Sequence, residues 1–454
     1  MKSRRFFRVL AVLVLLTACL ALGTPLDDYV ASPDASYRYD VVKTVKGPGY
    51  TAYIIDMISQ SWRTKDEVDK PLWQHWLTIV RPDGAKADTA LLFINGGSSG
   101  RPAPEDADKM LAGMALAANA VVADLRTVPN EPLVFADDPN NRRSEDAIIA
   151  YSYVKCLQTG DTTWPLLLPM VKSAVRAMDT VQKHLSSLDT GSMDIKKFVV
   201  SGGSKRGWTT WLTAAVDKRV VAIAPAVIDV LNMDEQMKHH FAAYGFYSQA
   251  IGDYQSLNVF DKLFSPEGQM LIKIVDPYEY RDRYAGIPKF LLNSSGDQFF
   301  LPDSAQFYYH DLPGEKHLRY VPNTDHGLGN SDAVQSLMAF FQSILAGSSR
   351  PDFSWSVKPD GSIEVQTTTK PLAAKLWQAT NPKARDFRKE IIGPVWKDAP
   401  LEQQGGGKYI AKVPEPAEGW TAFFVELTFD SGGAFPHKFT TEVHVVPDKL
   451  PFAK

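Results

Sequence analysis

The residues in this sequence with the clearest chemical potential are a serine, an aspartate and a histidine, which occur in the order Ser204, Asp297, His326. A serine hydroxyl is a poor nucleophile unless a neighbouring base takes its proton and a third group orients that base. In α/β sheets that carry such a triad, the three groups follow in this order, each in a loop beyond a strand. The order predicts that Ser204 attacks, His326 takes and returns the proton, and Asp297 holds the imidazolium.

The predicted nucleophile lies in the segment KKFVVSGGSKRGWTTWLTAAV, residues 196–216, between a β-branched apolar run and a helix-like pattern. A nucleophile elbow, G-x-S-x-G, requires a strand before the serine, a helix after it and small residues in the tight turn. Gly202 and Gly203 suit the turn, but Arg206 occupies the second glycine position and Gly207 comes one residue late. The match is partial. An ordinary serine in a glycine turn is the alternative, and the flanking strand and helix favour the nucleophile.

The predicted acid and base occupy loops further along the chain. Asp297 lies in LLNSSGDQFFLPDS, just beyond an apolar run, and Asp303 in the same loop is the competing acid. An Asx turn or a helix cap is the other interpretation of Asp297. His326 lies in YVPNTDHGLGNSD, where two following glycines suit a loop that presents a side chain, although a lone histidine can equally be structural.

The oxyanion that forms on attack requires backbone N–H donors. The N–H of Lys205, directly after the serine, is one expected donor. The loop at residues 95–98, with Gly96 and Gly97, is expected to supply the other. Acyl transfer to water needs no metal or cofactor, and neither is predicted. His239 and His240 lack the spacing of an HExxH zinc site and are interpreted as ordinary helix residues.

These residues must be positioned by alternating strands and helices. Apolar runs predict strands at 50–62, 71–82, 90–96, 120–125, 196–201, 220–228, 289–296 and 317–323, of which the first two are antiparallel. Helical periodicity and caps predict helices at 106–118, 144–158, 169–185 and 331–347. Alternation of this kind predicts an α/β fold, a mostly parallel sheet with helices on both faces, over residues 24–349.

Two segments depart from that alternation. Residues 232–286 are helical in pattern and predict a cap inserted over the carboxyl ends of the strands, where such sheets place their ligands. Residues 350–454 consist of short alternating runs between turn residues, which predict a β-sandwich-like domain. Its aromatic residues could bind carbohydrate but are interpreted as sandwich core. Residues 24–40 are polar and are predicted to be irregular.

Composition limits the choice of partners. The chain has 454 residues, 44% hydrophobic and 22% charged, with a net charge of −3. This balance offers no basic surface for nucleic acid or anionic membrane, so a small molecule or a peptide is the expected partner.

The N-terminus has the layout of an export signal, with a basic start, a short apolar core and small residues, and we predict a signal peptide over residues 1–23. Leu16-Thr17-Ala18-Cys19 resembles a lipobox, which would leave a lipid on Cys19 as the sole membrane attachment. Ala21-Leu22-Gly23 instead suits ordinary signal peptidase. The protein is therefore expected in the periplasm or cell envelope, or secreted. After either cleavage Cys156 is the only cysteine in the body of the protein, so no intrachain disulfide is expected.

Several segments together resemble one family. INGGSSG, VVSGGSKRGWTTWLTAAVDKRVVAIAPAVID, NSSGDQFFLPDS, NTDHGL and the β-rich tail look like the PhoPQ-activated pathogenicity-related proteins. The resemblance implies an α/β-hydrolase-like core and a role at the cell envelope linked to virulence and resistance to antimicrobial peptides. The elbow is also similar to the Gly-Cys-Ser-Arg-x-Gly elbow of glucuronoyl esterases. By that analogy the side chain of Lys205 would assist the oxyanion.

The leading hypothesis is an exported serine hydrolase, an esterase or a peptidase or amidase, that acts through an acyl-enzyme. The alternative is a catalytically inactive hydrolase-fold protein that binds a ligand at the envelope. The imperfect elbow keeps this alternative open, because a fold does not imply an activity.

Overall fold

The structure is a computed structural model that describes residues 23–453. Residues 1–22 of the predicted signal peptide, with the lipobox at Cys19, lie outside the described residues. In the part of the chain that is described, no helix is long and apolar enough to cross a membrane.

A nine-stranded sheet forms the centre of the molecule. In their order across the sheet, its strands are β1 (Arg38–Gly47), β2 (Tyr50–Ser61), β3 (Leu72–Pro82), β5 (Val122–Leu125), β4 (Thr89–Ile94), β8 (Lys197–Gly203), β9 (Val220–Ala226), β10 (Lys289–Ser294) and β11 (Lys316–Val321). The first three are antiparallel, β3 pairs antiparallel with β5, and the remaining pairs are parallel. This order and these directions are those of the α/β-hydrolase fold, which confirms the predicted fold class.

Helices cover both faces of this sheet. They are α1 (Pro25–Ala31), α2 (Lys109–Ala118), α3 (Asp146–Thr159), α4 (Leu167–Ser186), α5 (Lys205–Val216) and α10 (Ala333–Ala346). Strand β8 shows why two layers form, since Phe198 and Val200 belong to the apolar core that includes α4 and α5, whereas Val199 belongs to the core that includes α2 and α10. Alternate side chains of a strand point to opposite faces, so a continuous apolar run buries both.

The N-terminal region differs from the sequence-based expectation. Residues 24–40 were predicted to be irregular, yet Thr24 and Asp27 form a capping box that starts α1. Strand β1 was not predicted, because nearly all of its residues are exposed to solvent and it shows no apolar alternation. A hairpin of β6 (Leu133–Phe135) and β7 (Asp138–Arg143) was also missed.

The segment between β9 and β10 is helical, as its sequence pattern indicates. It contains α6 (Met233–Tyr244), α7 (Gly252–Ser256), α8 (Val259–Leu263), α9 (Pro266–Val275) and two 3-10 turns, Gln249–Ile251 and Pro277–Tyr284. The segment follows the carboxyl end of β9, directly beside the strand that ends at Ser204. We refer to residues 232–286 as the cap.

The C-terminal region, residues 350–453, forms two antiparallel sheets. One contains β12 (Phe353–Val357), β13 (Ile363–Thr367) and β16 (Lys408–Ala411). The other contains β14 (Ala373–Asn381), β15 (Lys397–Pro400), β17 (Trp420–Phe429), β18 (His437–Thr440) and β19 (His444–Val446), and a short helix, α11 (Lys389–Ile392), lies between β14 and β15.

This C-terminal region packs directly on the last strands of the central sheet. The ring of Phe439 lies 5.7 Å from that of Phe290, and the N–H of Tyr320 on β11 donates to Oγ1 of Thr440 at 3.0 Å. Phe423 is fully buried in the same apolar core as Phe290. The two regions therefore share one hydrophobic core.

Candidate active site

Ser204 stands between β8 and α5 with a backbone conformation of φ 58° and ψ −130°. Residues other than glycine rarely occupy positive φ, and such strain at a strand-to-helix turn is the mark of a nucleophile elbow. The serine N–H donates to the carbonyl of Ala226 on the neighbouring strand at 2.8 Å, which holds the turn against the sheet.

Two glycines allow the helix to leave the strand this sharply. A Cβ on Gly202 would stand 2.8 Å from the carbonyl oxygen of Arg206, and one on Gly207 would stand 2.9 Å from that of Gly202. Gly207, one residue later than the usual motif has it, is thus the position where the helix contacts the strand. The glycine in the elbow pattern is shifted, and its steric role is retained.

Arg206 directs its side chain away from the turn. Its Nε donates to the carbonyl of Val128 at 2.5 Å, and its two terminal nitrogens donate to Glu145 at 2.7 and 2.9 Å. A Cβ on Gly96 would stand 2.5 Å from Nη2, so the guanidinium lies directly on the loop that follows β4. The residue that makes the elbow imperfect is therefore a support for the neighbouring loop.

The structure brings Asp297 and His326 together. Nδ1 of His326 lies 2.8 and 2.9 Å from the two carboxylate oxygens of Asp297, and Asp297 is only 4% exposed. The N–H of Phe299 also donates to this carboxylate at 2.8 Å, and the Phe299 ring lies 4.3 Å from the imidazole. These contacts fix the ring with Nε2 directed away from the aspartate.

Nε2 of His326 is buried and has no hydrogen-bond partner among residues 23–453. His326 and Ser204 line the same cavity, of about 310 Å³, without a hydrogen bond between them in this structure. Catalytic hydrogen bonds are often long in the absence of substrate and tighten in the complex. Among the described residues, no partner competes for this nitrogen, so it is available to accept a proton.

Asp303, the competing acid, is occupied elsewhere. Its Oδ2 pairs with Nε2 of His239 at 3.0 Å and with Arg385 at 2.6 Å, all three side chains being buried. Burial would raise the pKa of Asp303, but the charges of Arg385 and His239 outweigh it and hold that pKa well below its ordinary value. Of the two acids, the structure places Asp297 and not Asp303 on His326.

The three residues expected to bind the oxyanion converge on the elbow. Ile94, at the end of β4, pairs with Gly202 on β8, so the loop with Gly96 and Gly97 follows the strand next to the serine. Gly97 has φ 129°, a conformation that favours glycine. Among the described residues, the N–H groups of Gly96 and Gly97 donate to no acceptor. Lys205 is the first residue of α5, so its N–H has no acceptor within the helix.

The side chain of Lys205 does not match the role suggested by the esterase analogy. It is 5% exposed, and its ammonium pairs with Glu145 and, at 3.1 Å, with Asp146. Its charge is therefore compensated by two carboxylates at the start of α3, and the backbone N–H is the part of Lys205 that remains for an oxyanion.

Two neighbouring carboxyl groups, Glu131 and Glu145, lie next to this cluster, and their contact was not predicted from the sequence. The N–H of Glu145, which has φ 53°, donates to Oε2 of Glu131 at 2.6 Å. Burial and the neighbouring Glu145 raise the pKa of Glu131 to about 7. Burial would raise the pKa of Glu145 as well, but hydrogen bonds and charges from Arg206 and Lys205 outweigh it and lower that pKa to about 2. No local motif signals this pair, because the sequence shows Glu145 merely as an acid near a helix start.

The C-terminal region holds the loops of the acid and the base. The N–H of Lys389 donates to the carbonyl of Gly296 at 3.0 Å, next to Asp297. Asn323 and Trp396 exchange two hydrogen bonds, of 3.0 and 2.9 Å, between the side chain of the asparagine and the backbone of the tryptophan. We call these contacts of Lys389 and Trp396 the C-terminal clamp.

No group of three or more His, Cys, Asp or Glu side chains in residues 23–453 is arranged to hold a metal ion. Cys156 is buried and has a free thiol.

Comparison with known proteins gives one family and one curated relative. A family model described as PhoPQ-activated pathogenicity-related protein matches residues 26–388. Autocrine proliferation repressor protein A from Dictyostelium discoideum is 35% identical over 474 residues, covering 98% of this chain and 95% of that protein.

Solved structures with a similar chain course include two esterases. Acetyl xylan esterase 1 from Thermoanaerobacterium sp. JW/SL YS485 has a TM-score of 0.47 and 15% identity, over 71% of this chain and 91% of that chain. A glucuronoyl esterase from Solibacter usitatus has a TM-score of 0.42 and 15% identity, again over 71% of this chain and 91% of that chain.

Proposed function

The chain belongs to the PhoPQ-activated pathogenicity-related protein family, and we propose that this member is a serine hydrolase that cleaves an ester or an amide through an acyl-enzyme. One observation carries the proposal. A serine on a strained strand-to-helix turn lines the same cavity as a histidine whose Nδ1 is held by a buried aspartate and whose Nε2 is free.

The geometry suggests the following steps. Oγ of Ser204 attacks the substrate carbonyl carbon while its proton passes to Nε2 of His326, and Asp297 stabilises the imidazolium that forms. The oxyanion is bound by the N–H groups of Lys205 and of the Gly96–Gly97 loop. The tetrahedral intermediate expels the alcohol or amine, which takes the proton from His326, and water then releases the acid by the same route in reverse.

An active-site-directed fluorophosphonate tests the assignment. It should label the wild-type protein and fail to label Ser204→Ala, and His326→Ala should be labelled far more slowly, because the hydroxyl then lacks its base. Ser331→Ala is the matched control, since Ser331 lines the same cavity but lies outside the elbow. Ester turnover should fall by about 10⁶-fold in Ser204→Ala.

Absence of labelling in well-folded wild-type protein would contradict the enzyme and favour a hydrolase-fold protein that only binds its ligand. Labelling that persists in Ser204→Ala would place the nucleophile elsewhere.

We further propose that the protein is exported and acts at the cell envelope, with a role in virulence. The support is the signal-like N-terminal sequence and the family's description. Expression of the full chain and of Cys19→Ala, followed by cell fractionation, tests this. A lipoprotein would be found in the membrane fraction and released by the substitution, whereas a protein cut after Gly23 would be unaffected.

A further inference from the structure

Three cavities lie close to the proposed nucleophile. Ser204 lines the cavity of about 310 Å³ that contains His326, and it also lines a second one, of about 50 Å³, beneath the cap. The third, of about 600 Å³, contains Gly96 and Gly97 of the proposed oxyanion loop. Met110 lines both the first and the third of these cavities, so they adjoin.

The stereochemistry of acyl transfer assigns these cavities to parts of the substrate. The carbon attacked by Ser204 carries three other substituents, namely the oxyanion, the leaving group and the acyl chain. The oxyanion must face the backbone donors, on the side of Gly96 and Gly97. The leaving group must lie next to Nε2 of His326, because that nitrogen gives it a proton. The acyl chain takes the direction that remains, towards the cavity beneath the cap.

The cavity beneath the cap is small and closely walled. Apolar side chains of α5 and the cap form about half of its wall, among them Trp208, Met237 and Phe260, all of them buried. Lys205 and Asp146 also reach it but pair with each other. For comparison, an apolar cavity of about 150 Å³ binds a benzene ring. A space of about 50 Å³ therefore suits an acyl group of only a few carbons.

The cavity beside His326 is larger and opens to solvent as an apolar groove between α2 and α10. Met114, Leu328 and Leu337 line it. At its mouth Met110 and Val334 are 43% and 38% exposed. These apolar side chains are in contact with water unless a ligand covers them. This leaving-group groove suits an apolar alcohol or amine several carbons long.

We infer that the substrate combines a short acyl group with a large apolar leaving group. This inference rests on the proposed function and specifies the substrate class of the same site. It leaves the bond as either ester or amide, and it fixes which side of that bond is large.

Two isomeric esters test the inference directly. Octyl acetate and ethyl octanoate have the same formula and similar apolar area, and they differ only in which side of the ester carries the long chain. Because a single methylene in an apolar pocket is worth about tenfold or more in kcat/KM, octyl acetate should be preferred by at least about tenfold. Equal rates, or a preference for ethyl octanoate, would overturn the inference.

Paired substitutions on α10 locate the long chain. Val334→Trp should fill the mouth of the groove and lower kcat/KM for octyl acetate by about tenfold, while ethyl acetate, which does not reach the mouth, changes by less than about twofold. Gln335→Trp is the matched control, since Gln335 is also exposed on the same helix but does not line the groove. An equal effect of the two substitutions would contradict the assignment.

A substitution beneath the cap checks the acyl side. Met237→Ala should enlarge the small cavity and shift the preference towards ethyl octanoate, whereas an unchanged ratio would place the acyl chain elsewhere. Fluorophosphonate labelling of Ser204 distinguishes failure of this inference from failure of the proposed function. Labelling together with ester hydrolysis that lacks the expected preference overturns this inference alone, and absence of both labelling and hydrolysis overturns the proposed function.

Discussion

The guanidinium of Arg206 lies on the backbone of Gly96, so close that a Cβ on that glycine would stand 2.5 Å from Nη2. The same side chain donates hydrogen bonds to the carbonyl of Val128 and to Glu145, so the guanidinium has little freedom to move. The elbow and the proposed oxyanion loop are thereby held in one arrangement.

Gly96→Ala tests this contact. The added methyl must displace either the guanidinium or the loop, so an oxyanion donor would move and kcat should fall by about 10²-fold with KM little changed. Steady-state kinetics on a short ester measures this. Gly113→Ala, at a position on α2 where a Cβ would meet nothing within 4 Å, is the control and should retain activity. An unchanged kcat in Gly96→Ala would remove this loop from the site.

Of the two aspartates in the loop after β10, Asp297 should be required for turnover and Asp303 for stability. Asp297→Asn should lower kcat by about 10⁴-fold with the melting temperature nearly unchanged, because His326 loses the acceptor that sets its tautomer. Asp303→Asn should lower the free energy of unfolding by about 3 kcal/mol, because Arg385 loses its buried partner, with kcat of the folded protein retained. The opposite pattern in kinetics and thermal unfolding would show that the acid is Asp303.

The sequence predicted the central α/β fold because its strands are continuous apolar runs that bury both faces. The prediction failed for β1, whose residues are mostly exposed, and for α1, which a capping box of polar residues starts. Pairing with a neighbouring strand forms β1, and a polar cap starts α1. A pattern of apolar residues predicts neither.

The candidate site likewise contains residues that could be predicted from the sequence and contacts that could not. Ser204, Asp297 and His326 could be selected because each lies just beyond a predicted strand. The pairing of Lys205 with Glu145 and Asp146 could not, since it depends on where the start of α3 lies relative to the elbow. The C-terminal clamp joins residues at least 73 positions apart, and no local pattern encodes it.

The C-terminal clamp should matter for turnover. Asn323→Ala removes both hydrogen bonds to Trp396 and should lower kcat by about tenfold, because the loop of His326 is less firmly held and catalytic groups tolerate little misplacement. Asn381→Ala is a matched control, a buried asparagine whose bonds, to Lys383, Ala384 and Asp386, all lie within the C-terminal region. It should lower stability and leave kcat of the folded protein intact. Equal losses of kcat would show a general effect of destabilisation.

Glu131 should make stability depend on pH. Its pKa in the fold is about 7, above the ordinary value of 4.5, so between these pH values the folded protein holds a proton that the unfolded chain has released. Stability is therefore lost as the pH rises through this window. Glu131→Gln removes the loss and keeps an acceptor for the N–H of Glu145.

Thermal unfolding at about pH 5 and about pH 8 measures this effect. The gain in melting temperature of Glu131→Gln over wild type should be larger at the higher pH. Buried histidines such as His75, whose pKa burial lowers to about 4, give the opposite slope, but they are common to both proteins and cancel in the comparison. A gain that is the same at both pH values would show that Glu131 titrates normally.

The hydrogen bond from Tyr320 to Thr440 has a consequence for the edge of the central sheet. Strand β11 is the last strand of the central sheet, and an uncovered last strand offers its backbone N–H and C=O groups to strands of other molecules. The threonine hydroxyl occupies one of these groups, and Phe439 covers the apolar surface beside it. The C-terminal region therefore covers part of this edge, and a chain that lacked it would expose the edge to pairing with strands of other molecules.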